Sequence, residues 1–168
     1  YNRIAPAFLK LDDKGVVFLT DAHERLDGNL KAMKDYIEAE KFDLRIQSFC
    51  RGDRRKAISF AEFRAICRAM TSCKYIILDD FYGLTSTMKL RDGQKLIQLW
   101  HGSGAFKKFG YSRLEADMNP RVVHSGYRKY TGALVSAEGV RECFAEAFGI
   151  SVDKVKALGS PRSDMLFD

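Results

Sequence analysis

Apolar residues fall into short continuous runs that alternate with amphipathic stretches. Six runs read as strands: Gly15-Val-Val-Phe-Leu-Thr20, Leu44 to Cys50, Lys74-Tyr-Ile-Ile-Leu78, Lys95-Leu-Ile-Gln-Leu-Trp100, Thr131-Gly-Ala-Leu-Val135 and Val155 to Leu158. Brief apolar runs bounded by turn residues suit buried strands. Between them, Asn29 to Lys41 carries Leu30, Met33 and Ile37 on one helical face. Ser59 and Glu62 form a capping-box pattern, and Phe60, Phe63, Cys67 and Met70 follow at helical spacing. Ala137 to Phe148 predicts a third helix, with Val140, Cys143, Phe144, Ala147 and Phe148 on one side. Strands alternating with helices predict an α/β fold with a mostly parallel sheet covered on both faces. Phe106 to Tyr130 has weak periodicity and many polar residues, so it reads as a long loop or an irregular helical insertion.

Composition narrows this picture. The chain has 168 residues, 46% hydrophobic and 30% charged, with 13 Gly and 3 Pro, which excludes disordered and collagen-like proteins. It is long enough to bury a core of its own. It begins at Tyr1 rather than Met, and its last residues still read as an organised motif, so a piece of a longer protein is expected. Cysteines at 50, 67, 73 and 143 show no C-x-x-C spacing, which argues against a zinc or redox motif. Cys67 and Cys143 are expected as reduced, packed thiols on apolar helix faces. No apolar run approaches the roughly 18 residues of a membrane span.

The net charge of +6 favours anionic partners, namely nucleic acid, phosphorylated substrates or an acidic membrane face, without choosing among them. Basic residues gather in Arg51-Gly-Asp-Arg-Arg-Lys56 and between Lys107 and Lys129, where Phe109, Tyr111 and Tyr127 interleave. Interleaved aromatics also fit single-stranded nucleic acid, although no recognisable binding signature accompanies them.

In an open parallel sheet, ligands gather beyond the carboxyl ends of the strands. That rule selects Asp79-Asp80, His101-Gly102-Ser103-Gly104 and Ser136. The two aspartates resemble the acidic centre of a response-regulator receiver, but Ser136-Ala137-Glu138 follows the fifth strand where that fold needs a lysine. The turn at His101 is more informative. Gly102 and Gly104 let the backbone approach a ligand, Ser103 adds a hydroxyl, and Lys107 and Lys108 add positive charge. Histidine, whose ordinary pKa lies nearest neutrality, can take a proton from a hydroxyl nucleophile. His23 and His124 have no such surroundings.

These residues carry a resemblance. Gln98-Leu-Trp-His-Gly-Ser-Gly-Ala-Phe-Lys-Lys-Phe-Gly110 resembles the tryptophan-histidine motif of the CDP-glycerol glycerophosphotransferases, the teichoic acid primases and polymerases. Phe144-Ala-Glu-Ala-Phe-Gly-Ile150 and Leu158-Gly-Ser-Pro-Arg-Ser-Asp-Met-Leu-Phe167 match in the right order, the latter resembling the family's G-x-P-R-x-D segment. Many members carry His-Gly-Thr-Pro-Leu-Lys, so Lys107 stands one residue further from His101 than is usual.

The resemblance implies a Rossmann-like domain, one half of a GT-B arrangement. Residues 1–158 would be an N-terminal, acceptor-side domain, and 159–168 the start of a junction to a missing C-terminal, donor-binding domain. It implies transfer of glycerol phosphate, or a related polyol phosphate, from a CDP-activated donor such as CDP-glycerol to a hydroxyl of a lipid-linked anionic acceptor. His101 matches the family's general base. Gly102, Ser103, Gly104, Lys107, Ser136, Arg162 and Asp164 are the candidate substrate-binding residues. No metal, bound cofactor or nucleic acid is expected. The implied location is the cytoplasmic face of the bacterial membrane, bound peripherally to its anionic surface. The chain alone is expected to be inactive. The alternatives are a non-catalytic α/β module that binds membrane or nucleic acid, and another GT-B sugar transferase.

Overall fold

A computed structural model of the chain describes residues 9–53, 57–113 and 126–166. Among these, six strands form one sheet: β1 (Asp12–Thr20), β2 (Arg45–Cys50), β3 (Cys73–Leu78), β4 (Lys95–Gln98), β5 (Gly132–Val135) and β6 (Val155–Ala157). Their order is β2-β1-β3-β4-β5-β6, and every neighbouring pair is parallel. Three helices cover the sheet: α1 (Gly28–Ala39), α2 (Phe60–Ser72) and α3 (Arg141–Phe148).

Alternation along β1 divides the core in two. Val17 and Leu19 pack with Ile66 and Met70 of α2 and Phe144 and Phe148 of α3. Val16 and Phe18 point to the other face, under Leu30 and Ile37 of α1. Both faces are covered, so the strands can carry continuous apolar runs, as Val16–Leu19 of β1 and Tyr75–Leu78 of β3 do. The Ser59 hydroxyl accepts the Glu62 N–H at 3.1 Å, which caps α2. Gly149, at φ +63°, ends α3 in the left-handed conformation that glycine adopts without strain.

The structure departs from the expected pattern in four places. The segment from Ala137 to Phe148 opens with a 3-10 turn, Glu138–Val140, before α3 begins at Arg141. Cys143 is exposed rather than packed, because Phe144, Ala147 and Phe148 occupy the buried face and Cys143 lies a residue out of phase. Phe60, at the first position of α2, is 75% exposed. The β4 ladder stops at Gln98, and Trp100 turns the chain with φ +54°. Within the expected insertion, residues 110–113 and 127–129 form 3-10 turns. Glu115, Asp117, Arg121 and His124 lie outside the described residues, as do Arg54, Arg55 and Lys56 of the first basic loop and Phe167 of the last motif. No described helix is long and apolar enough to cross a membrane.

Candidate functional site

The chain runs from β1 to the edge strand β2, then crosses back to β3 on the far side of β1. Such a switch opens a crevice at the carboxyl ends of the strands, where this class of sheet binds ligands. Asp21, Asp79-Asp80, His101–Gly104 and Ser136 follow β1, β3, β4 and β5 there. The turn after β4 is the most heavily fixed. Trp100 is a bulky residue in the left-handed region, where Cβ crowds the carbonyl and the surroundings must supply the compensation. Its N–H donates to Gln98 Oε1 at 2.8 Å, and its carbonyl accepts from Asn29 Nδ2 at 2.6 Å. Its ring stacks on Phe109 at 4.4 Å, with Phe144 and Phe148 edge-on.

His101 is exposed and stacks on the Trp100 ring with centroids 4.6 Å apart. Its Nδ1 lies 3.2 Å from the Asp79 carbonyl oxygen. A carbonyl only accepts, so this contact requires the proton on Nδ1 and leaves the Nε2 lone pair free to take one. The Ser136 hydroxyl donates to the Ser103 carbonyl and so ties the β5 loop to the same turn. A Cβ on Gly102 would meet Trp100 Nε1 at 3.3 Å, which explains the small residue after His101.

The other expected residues divide into two groups. Lys107 lines a cavity of about 240 Å³ beside α3, with Lys108, Phe109, Ser112, Cys143 and Glu146. Arg162 and Asp164 lie in a 3-10 turn, Pro161–Leu166, packed against α1. The Arg162 N–H reaches Asn29 Oδ1 at 3.1 Å, and Asp164 faces a second cavity of about 270 Å³ bounded by Met33, Tyr36 and Leu158. The described residues thus bring His101, Gly102, Ser103, Gly104 and Ser136 together, and Asn29 connects that group to Arg162. Asn29 appears in the sequence only as the start of a helical pattern, and its role rests on partners far along the chain.

The expected basic face is smaller than the sequence implies. Lys129 donates to the carbonyls of Thr85, Ser86 and Met88 at 3.2, 2.5 and 2.5 Å, and burial pushes its pKa down. Arg128 stacks over Tyr111 at 4.6 Å, and Arg51 pairs with the buried Asp21 at 3.1 Å. Phe109 and Tyr127 pack in the core cluster and offer no open platform for bases. No group of three or more His, Cys, Asp or Glu placed to hold a metal occurs among the described residues.

Asp79 is 4% exposed, and its Oδ1 has no hydrogen-bond partner. Burial raises its pKa above the ordinary 3.8, against a hydrogen bond from Thr20 that lowers it. The unfolded chain therefore releases this proton first. Between the ordinary value and the raised one, stability contributed by Asp79 falls as pH rises. Asp79→Asn should remove this slope and stabilise the fold at pH 7 by about 1 kcal/mol. Urea midpoints at pH 4 and pH 7 measure both, and an unchanged slope would contradict the assignment.

The order 2-1-3-4-5-6, with a braced turn at the strand ends, defines a parallel α/β domain of the Rossmann-like kind. The chain belongs to the CDP-glycerol:poly(glycerophosphate) glycerophosphotransferase family, whose model matches residues 3–168. It is 34% identical over 162 residues to a teichoic acid poly(ribitol-phosphate) polymerase of Bacillus spizizenii, covering 95% of this chain and 26% of that protein. It is 38% identical over 160 residues to the teichoic acid ribitol-phosphate polymerase TarK of Staphylococcus aureus, covering 92% of this chain and 31% of TarK. A structure of the wall teichoic acid polymerase TagF superimposes with a TM-score of 0.73 at 16% identity, over 94% of this chain and 41% of that one. A TagF variant soaked with CDPG superimposes with a TM-score of 0.72 at 15% identity, over 93% of this chain and 41% of that one. The chain thus spans about a quarter to a third of the two polymerase sequences.

Proposed function

We propose that the complete protein transfers a polyol phosphate from a CDP-activated donor to a hydroxyl of a lipid-linked anionic acceptor, building teichoic acid or a related cell-surface polymer. The observation that carries this reading is His101, held on Trp100 and the Asp79 carbonyl with Nε2 free. Nε2 takes the acceptor's hydroxyl proton as the oxygen attacks the phosphorus that bears the polyol. A new phosphodiester bond forms, the bond from that phosphorus to the CMP oxygen breaks, and CMP leaves. Gly102, Ser103, Gly104 and Ser136 shape the turn beside the acceptor, and Lys107 supplies positive charge from the cavity beside α3. Arg162 and Asp164 stand towards the donor side.

Residues 1–158 act as the acceptor-side half of a GT-B arrangement, with 159–168 leading to the half that clamps the donor. Family membership supports a CDP-polyol donor, and the relatives matched over nine-tenths of the chain put ribitol phosphate first for testing. The protein works peripherally at the cytoplasmic face of the membrane, where lipid-linked acceptors are presented. The decisive assay gives the complete protein CDP-ribitol, CDP-glycerol and UDP-sugars in turn, with a lipid-linked acceptor. CMP release with a CDP-polyol is expected. Turnover of UDP-sugars alone would replace this reading with that of a sugar transferase. The 168 residues by themselves should release no CMP, because phosphoryl transfer depends on positioning and charge stabilisation from both sides of the cleft.

A further inference from the structure

Asn29 joins two segments that the sequence keeps far apart. It sits in the first turn of α1, 5% exposed. Its Nδ2 donates to the Trp100 carbonyl at 2.6 Å, with the Leu99 carbonyl at 3.4 Å. Its Oδ1 accepts from the Ser160 hydroxyl at 2.8 Å and from the Arg162 N–H at 3.1 Å. The partners fix the amide's orientation. Carbonyls only accept and an N–H only donates, so the reverse orientation would set oxygen against oxygen at Trp100.

This bond falls at the most strained point of the site. The peptide whose carbonyl accepts from Asn29 links Trp100, at φ +54°, to His101. A side chain that grips the carbonyl of that peptide sets the direction in which the chain leaves Trp100. It therefore sets where the His101 ring stands over the indole. Gln98 Oε1 holds the N–H on the other side of Trp100 at 2.8 Å, so the residue is clamped at both of its peptide groups. The other end of the Asn29 amide holds Ser160 and Arg162, so a displacement of either segment is transmitted to the other through one rigid planar group.

The structure assigns Asn29 as the positioning residue for His101, and this rests on His101 being the base. Asn29→Asp is the sharpest variant. It keeps an oxygen for Ser160 and Arg162 and replaces the donor with an acceptor facing the Trp100 carbonyl. In the complete protein, kcat should fall about 100-fold, since misplacement of about 1 Å costs that much, while KM for donor and acceptor stays within about twofold. Asn29→Ala, which adds no like-charged contact, serves the same purpose if the aspartate variant does not fold.

A double-mutant cycle with His101→Ala separates the two claims. If Asn29 acts through His101, either Asn29 substitution added to His101→Ala costs nothing further. If the losses multiply, or if Asn29→Asp alone leaves kcat intact, the positioning role is overturned. If His101→Ala leaves kcat unchanged, it is the base assignment that fails.

Discussion

If the proposed reaction holds, replacing His101 with alanine in the complete protein should lower kcat by about 10²- to 10⁴-fold, the usual contribution of a placed general base. The fold should be untouched. His101 is exposed, and the interactions that hold the turn belong to Trp100: two peptide hydrogen bonds and the rings of Phe109, Phe144 and Phe148. Removing the imidazole leaves all of these in place. The loss should appear in kcat with CDP-polyol and acceptor saturating, and the circular dichroism melt should match the parent. The backbone of Gly102–Gly104 and the donor side remain, so some turnover survives. A kcat within a few-fold of the parent would make His101 a structural residue whose role is to stack on Trp100.

Gly110→Ala should have the largest effect on stability. At φ +54°, Gly110 lies where an L side chain is strained, and a Cβ built there would stand 2.1 Å from the Ala147 carbonyl oxygen and 3.0 Å from its carbon. That carbonyl is backbone near the end of α3 and cannot move aside as a flexible side chain could. Left-handed strain costs about 1–2 kcal/mol, and forced overpacking typically about 1–3 more. Together they are a large fraction of a domain stability of about 5–15 kcal/mol. The urea midpoint, followed by circular dichroism, should fall sharply. Gly139→Ala is the matched control, since a Cβ there meets nothing within 4 Å and its backbone needs no positive φ. Equal midpoints for the two variants would mean that the 106–113 segment does not depend on its seat against α3.

The architecture was legible because its signals are local. Continuous apolar runs marked β1, β3 and β4, as expected where both sheet faces are covered, and the Ser59 cap was visible four residues ahead of Phe63. The turn at His101 was legible for a related reason: glycines beside a histidine directly after a strand are contiguous in sequence. The phase of a short helix was less so. With only eight residues in α3, a shift of one position decides whether Cys143 packs or faces solvent. The least legible feature was Asn29. Its partners lie 71 and 133 residues away, and no spacing rule reaches that far. Lys129 shows the same limit from the other side. By composition it joins a basic patch, whereas three backbone carbonyls hold its ammonium group.

Trp100 is the only tryptophan in the chain, and it stacks on His101 at 4.6 Å. All indole emission from these residues therefore originates within van der Waals reach of the imidazole. The single indole is thus a built-in optical probe of where the His101 ring stands. Any ligand that displaces the ring would report itself in the same signal, without label or turnover.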